Sequence, residues 1–186
     1  MKKKPSTLVN MIVSLTLISG LAGLCLGAVY SVTKDPIDQA KLAKQAEAIK
    51  AVLPPYDSLC EPQVIAVAGG NVTLHKAYNG AEWVGTAVNT FSKQGFSGEI
   101  RLMIGVLPDG SIKDINVLEH HETPGLGDKM DIKKSNFSVQ FRGKNPATFN
   151  LKVKKDGGDV DAITAATISS RAYCDALQRA VTVAQN

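Results

Sequence analysis

The sequence predicts an α+β protein in which an N-terminal transmembrane helix is followed by a mostly antiparallel sheet with flanking helices. The first observation is that residues 8–32 carry no charged side chain, and a helix needs about 20 apolar residues to cross a bilayer. The second is a series of β-rich segments from residue 63 onward, each bounded by turn residues. The third is the C-terminal stretch, where apolar residues from Ile168 to Ala184 recur at spacings of three and four, as on one face of a helix.

The N-terminal apolar segment is predicted to be an uncleaved anchor in a bacterial inner membrane. Lys2–Lys4 precede it, and this positive flank favours a cytoplasmic N-terminus with the main domain on the periplasmic side. A cleaved signal peptide has an apolar core of ~7–15 residues, which is shorter than this one. A lipoprotein signal ending at Cys25 would need a small residue before that cysteine, where the chain has Leu24.

The charge of the remaining chain argues against nucleic acid as a partner. The net charge of +4 comes from 21 basic and 17 acidic residues. Without the three lysines Lys2–Lys4 the balance is 18 against 17, a net charge of +1. Binding to nucleic acid depends on clustered positive charge that neutralises phosphates, and this balance does not provide it.

The sequence predicts a chain of three parts. Residues 1–32 form the cytoplasmic basic start and the anchor, residues 33–62 a connecting helix and linker, and residues 63–186 the main domain. The connecting helix is predicted to open at Asp35-Pro36, because proline is favoured in a first helical turn, and to stop at Pro54-Pro55. It is expected to continue from the membrane span and to lead into the domain.

The main domain is predicted to begin with hairpins. Gly69-Gly70-Asn71 and Pro108-Asp109-Gly110 are typical turn sequences. The second is flanked on both sides by β-rich segments of similar length. The predicted strands are Val64–Ala68, Val72–Lys76, Ala81–Asn89, Ile100–Leu107, Ile112–Glu119 and Ala147–Val153.

The stretch from Asp161 to Arg171 combines helix-starting residues, two small residues and several hydroxyls. We interpret Thr164 as the N-cap of the C-terminal helix, which places Thr167 at the third helical position. A hydroxyl there lies beside backbone N–H groups without intrahelical partners and at the positive end of the helix dipole, a place that suits a phosphate. The alternative is plain helix capping with close helix packing.

A second candidate stretch, residues 119–127, follows a predicted strand. His120 and His121 are adjacent, so on a strand they would point to opposite faces and would not easily share a metal ion. No metal site is therefore predicted. The loop Thr123–Gly127 contains two glycines that would let backbone N–H groups approach a flat ligand, and the alternative is an ordinary turn.

The cysteines and two aromatic residues leave alternatives open. No CxxC pair is present, which argues against Cys-ligated zinc or iron–sulfur clusters. Cys60 and Cys174 would form a disulfide if they met in an oxidising compartment, but either is also consistent with a buried thiol. Trp83 and Phe96 are candidates for stacking on a ligand or for packing in the core.

These stretches carry a resemblance to a known family. The segment Asp161-x-x-Thr-Ala-Ala-Thr167 resembles the flavinylation motif of FMN-binding domains, with Ala165 where glycine is common. In that family an ApbE-type flavin transferase cuts FAD and leaves FMN esterified through its phosphate to the last threonine of the motif. Glu122-Thr-Pro-Gly-Leu-Gly127 and Gly95-Phe-Ser-Gly-Glu-Ile100 are similar to segments of the G subunit of the Rnf ion-translocating electron-transport complex, and less closely to the C subunit of the sodium-translocating NADH:quinone reductase.

The resemblance implies a set of flavin-binding residues in residues 63–186, which would then be an FMN-binding domain. Thr167 is implied to be the covalent attachment site, and no residue is implied to be catalytic. Ser170 is a further hydroxyl near the expected phosphate. The other implied cofactor-binding residues are Asp161, Thr164, Ala165, Ala166, Ser169, Glu122, Thr123, Gly125, Leu126 and Gly127.

The function that the resemblance implies is electron relay by a membrane-anchored flavoprotein within a multi-subunit complex that moves ions. The expected partners are the other membrane subunits and the flavin transferase. Such a protein is an electron carrier and not a stand-alone enzyme. The alternatives are a C-type subunit of a sodium-translocating quinone reductase, or a flavin-free assembly module whose small residues only pack against a partner helix.

Overall fold

The computed structural model describes residues 7–184 and confirms the predicted α+β class. A long apolar N-terminal helix precedes an antiparallel sheet, and a second long helix follows the sheet. The helices are α1 (Leu8–Val52) and α2 (Thr167–Ala184), with short 3-10 helices at Gly127–Met130, Phe137–Phe141 and Lys154–Asp156. The strands are β1 (Ser58–Leu59), β2 (Gln63–Val67), β3 (Gly70–Asn79), β4 (Glu82–Gly95), β5 (Gly98–Val106) and β6 (Ile112–Glu119).

Helix α1 is long and apolar enough to cross a membrane. Pro36 lies inside this helix, so no separate helix opens at Asp35-Pro36, and the expected continuation of the anchor into the connecting helix is confirmed. The helix ends at Val52, directly before Pro54-Pro55, as predicted. The chain divides into two compact units, with Ala43 the last residue of the first and Lys44 the first residue of the second.

The sheet of the second unit has the strand order β1-β3-β4-β5-β6, and β2 also pairs with β3. Every pairing is antiparallel. Both predicted hairpin turns are present, and Gly69 and Gly110 have φ of 93° and 81°, values that glycine adopts without strain. A third tight turn at Gly80 joins β3 to β4.

One face of the sheet is covered by the last turns of α1, and the other face is covered by α2. Alternating residues of β5, such as Leu102 and Ile104, belong to a large core cluster with α2, because successive strand residues point to opposite faces. Met103, between them, belongs to a second cluster with Ile49 and Val52 from the last turns of α1. Both faces of β4 and β5 are therefore buried over much of their length, which explains the continuous run of residues without charge or polar groups from Leu102 to Val106 in β5.

Two further local predictions are wrong. Residues 147–153 are not a strand, because Asn145 folds the chain into a turn in which its side chain accepts the Ala147 N–H and its carbonyl oxygen accepts the Phe149 N–H. Helix α2 begins at Thr167 and not after an N-cap at Thr164. Residues before Thr167 instead form a separate turn, which is described below.

Candidate functional site

The candidate site is a cavity of about 320 Å³ beside the first turn of α2. Three segments form its walls: the turn between β4 and β5, the loop after β6, and the start of α2. They are far apart in the chain, and the sheet order brings them together at one end of β5 and β6. The lining residues are Phe96, Glu122, Thr123, Leu126, Gly127, Ala165, Ala166, Thr167, Ile168 and Ser169.

The chain enters α2 through a tight turn. The Ala166 N–H donates to the Ile163 carbonyl oxygen at 3.0 Å, and Ala165 has φ of 60°. This left-handed conformation favours glycine, since a Cβ costs roughly 1–2 kcal/mol there. The turn moves the helix start from the expected position to Thr167, because residues in it cannot take helical dihedral angles.

The four hydroxyl groups of this stretch have different surroundings. The Ser169 hydroxyl is buried and donates to Glu122 Oε2 at 2.5 Å. The Ser170 hydroxyl is buried, accepts the Ile163 N–H at 2.9 Å and donates to the Ala166 carbonyl oxygen. Thr164 is exposed and lies outside the cavity. Of these four described hydroxyls, only that of the half-buried Thr167 both lines the cavity and has no hydrogen-bond partner.

The loop after β6 supplies the opposite wall. Glu122 is 5% exposed, and its Oε1 accepts the Ser97 N–H at 3.0 Å. The Thr123 carbonyl oxygen accepts the Leu126 N–H at 3.1 Å, which closes the loop into a turn. Gly127 is buried, whereas Gly125, with φ of 78°, is exposed and does not line the cavity.

Several residues expected near a flavin lie elsewhere. Asp161 and Thr164 line a neighbouring depression with Lys129 and Gln140, and Asp161 forms an exposed ion pair with Lys154 at 2.7 Å. Trp83 is remote from the cavity, and its indole N–H donates to the Gly85 carbonyl oxygen. The structure therefore brings together eight of the eleven predicted cofactor-binding residues and leaves Asp161, Thr164 and Gly125 outside the cavity.

Comparison with known proteins identifies the family. Residues 95–182 match the family model of the FMN-binding domain. The chain is 36% identical over 178 residues to the G subunit of the ion-translocating oxidoreductase complex of Shewanella amazonensis, covering 88% of this chain and 83% of the relative. It is 35% identical to the G subunit from Haemophilus influenzae, with 91% and 88% of the two chains covered, and 33% identical to that from Vibrio cholerae, with 82% and 78% covered.

The chain belongs to the family of G subunits of ion-translocating oxidoreductase complexes. The resemblance drawn from the motifs is thereby confirmed, and membership among the G subunits is favoured over the C-type alternative. The match to the FMN-binding domain also identifies FMN as the cofactor of this domain. All three segments that form the cavity walls lie within the matched residues 95–182.

The residues that line the cavity fit an FMN molecule. Phe96, Leu126 and Ile168 stand around the cavity with 67%, 39% and 47% of their surface exposed. Apolar side chains left uncovered at one place suit the flat, largely apolar ring of a flavin. Thr167, at the first helical position, lies where backbone N–H groups and the helix dipole favour a phosphate. The cavity thus offers apolar side chains for the flavin ring and the N-terminus of α2 for the phosphate.

Sequence reasoning missed two residues of the site. Ile168 had been assigned to the apolar face of α2, because it lies four residues before Ala172, yet it is half exposed at the cavity. The buried residues of the first turn are Ser169 and Ser170, so these serines face the protein interior and Ile168 lies at the cavity. Gly95 is the second, since a Cβ there would lie 2.7 Å from Glu122 Oε1. No local pattern shows a contact between residues so distant in sequence.

An ion pair fixes the other side of the first turn. Arg171 donates two hydrogen bonds of 2.7 Å to the Asp156 carboxylate, and these bonds lower the pKa of Asp156 and raise that of Arg171.

Cys174, one turn further, is buried, and burial raises the pKa of its thiol to about 12. Cys60 is exposed and both thiols are free, so the two cysteines do not form a disulfide in this structure. Among residues 7–184 no cluster of His, Cys, Asp or Glu could hold a metal ion.

Proposed function

We propose that this chain is the membrane-anchored flavoprotein that relays electrons within an ion-translocating oxidoreductase complex, with FMN bound covalently through its phosphate to Thr167 Oγ1. The carrying observation is that Thr167 alone, among the hydroxyls of its stretch, faces the cavity without a protein partner. An oxygen already engaged as a hydrogen-bond donor, like that of Ser169 or Ser170, is less available to form an ester.

The proposed role of the protein is to hold, orient and shield the cofactor. FMN supplies the redox chemistry by taking up and giving up electrons. Phe96, Leu126 and Ile168 exclude water from the ring, and the first turn of α2 neutralises the phosphate charge with its N–H groups. Thr167 acts only during maturation, when its hydroxyl oxygen bonds to the FMN phosphorus of FAD, AMP leaves, and the hydroxyl proton is released.

The remaining predicted site residues divide into two groups. Ala165 and Ala166 leave space beside Thr167, and Glu122, Thr123, Leu126, Gly127 and Ser169 form the wall opposite or below it. We further propose that Asp161, Thr164 and Gly125, which lie outside the cavity, contribute to attachment by contacting the ApbE-type flavin transferase. Their exposure supports this role, because an enzyme that modifies Thr167 must touch the surface around it.

The proposed cellular arrangement follows from the anchor. Residues 1–32 hold the chain in the bacterial inner membrane with the N-terminus in the cytoplasm. Residues 33–62 form the connecting helix and linker, and residues 63–186 form the FMN-binding domain on the periplasmic side. The positive charge of Lys2–Lys4 supports this orientation. The partners would be the other membrane subunits of the complex and, before assembly, the flavin transferase.

The test is to change Thr167 and follow the covalent flavin. The full chain is made together with an active flavin transferase, and its flavin is measured by fluorescence on a denaturing gel and by intact mass. Thr167→Val should carry no covalent flavin because valine has no ester-forming oxygen, whereas Thr167→Ser should retain it. Thr182→Val is the matched control, which removes an exposed hydroxyl near the C-terminal end of α2 and should leave the covalent mass in place.

Other outcomes would contradict the proposal in distinct ways. Covalent flavin that persists in Thr167→Val would move the attachment to another residue. A parent chain that carries no flavin, although the transferase modifies a known substrate in the same cells, would favour the flavin-free assembly module.

A further inference from the structure

Glu122 is a buried carboxylate in the floor of the candidate site. It is 5% exposed, and a buried carboxylate is costly unless hydrogen bonds compensate for the lost water. Each of its oxygens has one partner: Oε1 accepts the Ser97 N–H at 3.0 Å, and Oε2 accepts the Ser169 hydroxyl at 2.5 Å. The two partners belong to two different walls of the cavity.

Two glycines make room for this carboxylate. A Cβ on Gly95 would lie 2.3 Å from the Gly98 carbonyl oxygen and 2.7 Å from Glu122 Oε1. A Cβ on Gly127 would lie 2.7 Å from Glu122 Oε2 and 2.6 Å from Ser169 Oγ. Neither glycine has a positive φ, so the requirement is space and not backbone conformation. Gly127 therefore leaves space for the Glu122 side chain, and the expectation that its backbone also lies close to the flavin stays a prediction.

The partners of Glu122 stand directly beside the groups expected to hold the cofactor. Ser97 follows Phe96 in the two-residue turn between β4 and β5, and the Phe96 ring is 67% exposed. Ser169 follows Thr167 by two residues, in the same first turn of α2. One carboxylate thus joins the segment that presents the aromatic ring to the segment that presents the attachment oxygen.

The rest of α2 is held to the sheet by other groups. Thr90 donates to the Ala176 carbonyl oxygen at 3.1 Å, and Ser92 donates to the Asp175 carboxylate at 2.7 Å. These bonds lie more than one turn beyond Thr167. Loss of Glu122 should therefore free the first turn and the Phe96 turn without detaching the helix.

We propose that Glu122 is a positioning residue, which fixes the distance between the Phe96 turn and the first turn of α2 and so prepares the cavity for FMN before the ester forms. This inference rests on the proposed function, because it assumes that FMN occupies the cavity. Both Glu122 oxygens already have protein partners, so its action on the cofactor goes through Phe96 and Thr167.

The test uses the full chain in detergent, made without the flavin transferase, so that Thr167 is unmodified. FMN is added, and its dissociation constant is measured by quenching of flavin fluorescence. Glu122→Ala should weaken FMN binding about tenfold or more, since it removes two hydrogen bonds to a charged group. Glu122→Gln should stay within about threefold of the parent, because its amide oxygen accepts the Ser97 N–H and its NH₂ donates to Ser169 Oγ. Glu119→Ala, which removes an exposed carboxylate at the end of β6, should change nothing.

Hydrogen–deuterium exchange tests the same link without flavin. In Glu122→Ala the peptide containing Ser97 should exchange about tenfold faster or more, and Glu122→Gln should restore its protection. Ser169→Ala should weaken FMN binding by itself, and it should add little in the Glu122→Ala background, because both changes break the same hydrogen bond. A purely structural role would lower the melting temperature while the FMN dissociation constant stayed the same.

The outcomes separate this proposal from the proposed function. Faster exchange at Ser97 together with weaker FMN binding supports the positioning role. Faster exchange with unchanged FMN affinity, or additive effects of Ser169→Ala and Glu122→Ala, overturns it while FMN binding itself stands. If Glu122→Ala does not fold, Ser169→Ala decides, and unchanged FMN affinity in that variant overturns the proposal. A parent chain that binds no free FMN overturns the positioning role, whereas the proposed function is overturned only if the parent also carries no covalent flavin when it is made with the transferase.

Discussion

Ala165 is the residue at which the backbone of the site is strained. Among residues 7–184 it is the one residue other than glycine with a positive φ. Its neighbour Ala166 is buried and lies outside this conformation. The two adjacent alanines therefore differ in backbone conformation: position 165 favours glycine, whereas position 166 does not.

This difference predicts opposite effects of the same substitution. Ala165→Gly removes a conformational cost of roughly 1–2 kcal/mol but makes the unfolded chain more flexible, so we expect a net gain of about 0.5 kcal/mol in the free energy of unfolding. Ala166→Gly has no strain to relieve and removes a methyl group that is buried in the core cluster, so it should lose about 1 kcal/mol. Urea unfolding followed by the fluorescence of the single tryptophan, Trp83, measures both. A less stable Ala165→Gly variant would contradict the left-handed turn.

At the scale of elements, Gly105 decides how closely α1 approaches the sheet. A Cβ on Gly105 would overlap the Val52 carbonyl group and would lie 3.2 Å from Val52 Cβ. The last turn of α1 therefore lies directly on the backbone of β5, with Ile49 and Val52 buried in the second core cluster. A side chain at position 105 must push the helix end away from the strand.

We expect Gly105→Ala to lower the free energy of unfolding by about 1–3 kcal/mol, the usual cost of overfilling a packed core, and Gly105→Val to cost more. Urea unfolding of residues 44–186 within the full chain, followed at Trp83, measures the loss. Covalent flavin should remain in Gly105→Ala, because the site is built on the other face of β5. Stability equal to that of the parent would show that the end of α1 does not pack on Gly105.

The elements differ in how well their sequence predicts them. The strands β2 to β6 and both named hairpin turns were predicted, because alternation and turn residues are local signals. The stretch 147–153 was mistaken for a strand, since its β-branched and aromatic residues outweighed the Asn145 turn in a local reading. The start of α2 was placed two residues too early, because a left-handed alanine has no sequence pattern of its own.

The candidate site was predicted in part for a similar reason. Motif resemblance pointed to four wall residues, Glu122, Thr123, Leu126 and Gly127, and to Thr167, which lines the same cavity and is the proposed attachment residue. It did not show that Glu122 bonds Ser169, 47 residues away in the chain, or that Gly95 leaves room for the same carboxylate. Such contacts depend on how the sheet and α2 pack against each other, and a local sequence pattern does not predict that packing.

At the scale of the whole molecule, the charge before the anchor predicts the side of the membrane on which the domain lies. Lys2–Lys4 precede the apolar segment, and positive flanks stay in the cytoplasm. A reporter enzyme that is active only in the periplasm, fused after Asn186, should therefore be active. A cytoplasm-only reporter at the same point should be silent, and its activity would reverse the orientation.

The burial of the last turns of α1 determines where the chain can be cut. Lys44 donates to the Leu118 carbonyl oxygen, and Ala48, Ile49 and Val52 cover Met103 and Ala87. A lipid-free fragment that begins at the first strands would leave this face of the sheet open to water and prone to self-association. A fragment that begins just before Lys44 keeps its own cover and omits the charge-free segment 8–32, so a protease site engineered at Ala43 should release the domain in soluble form.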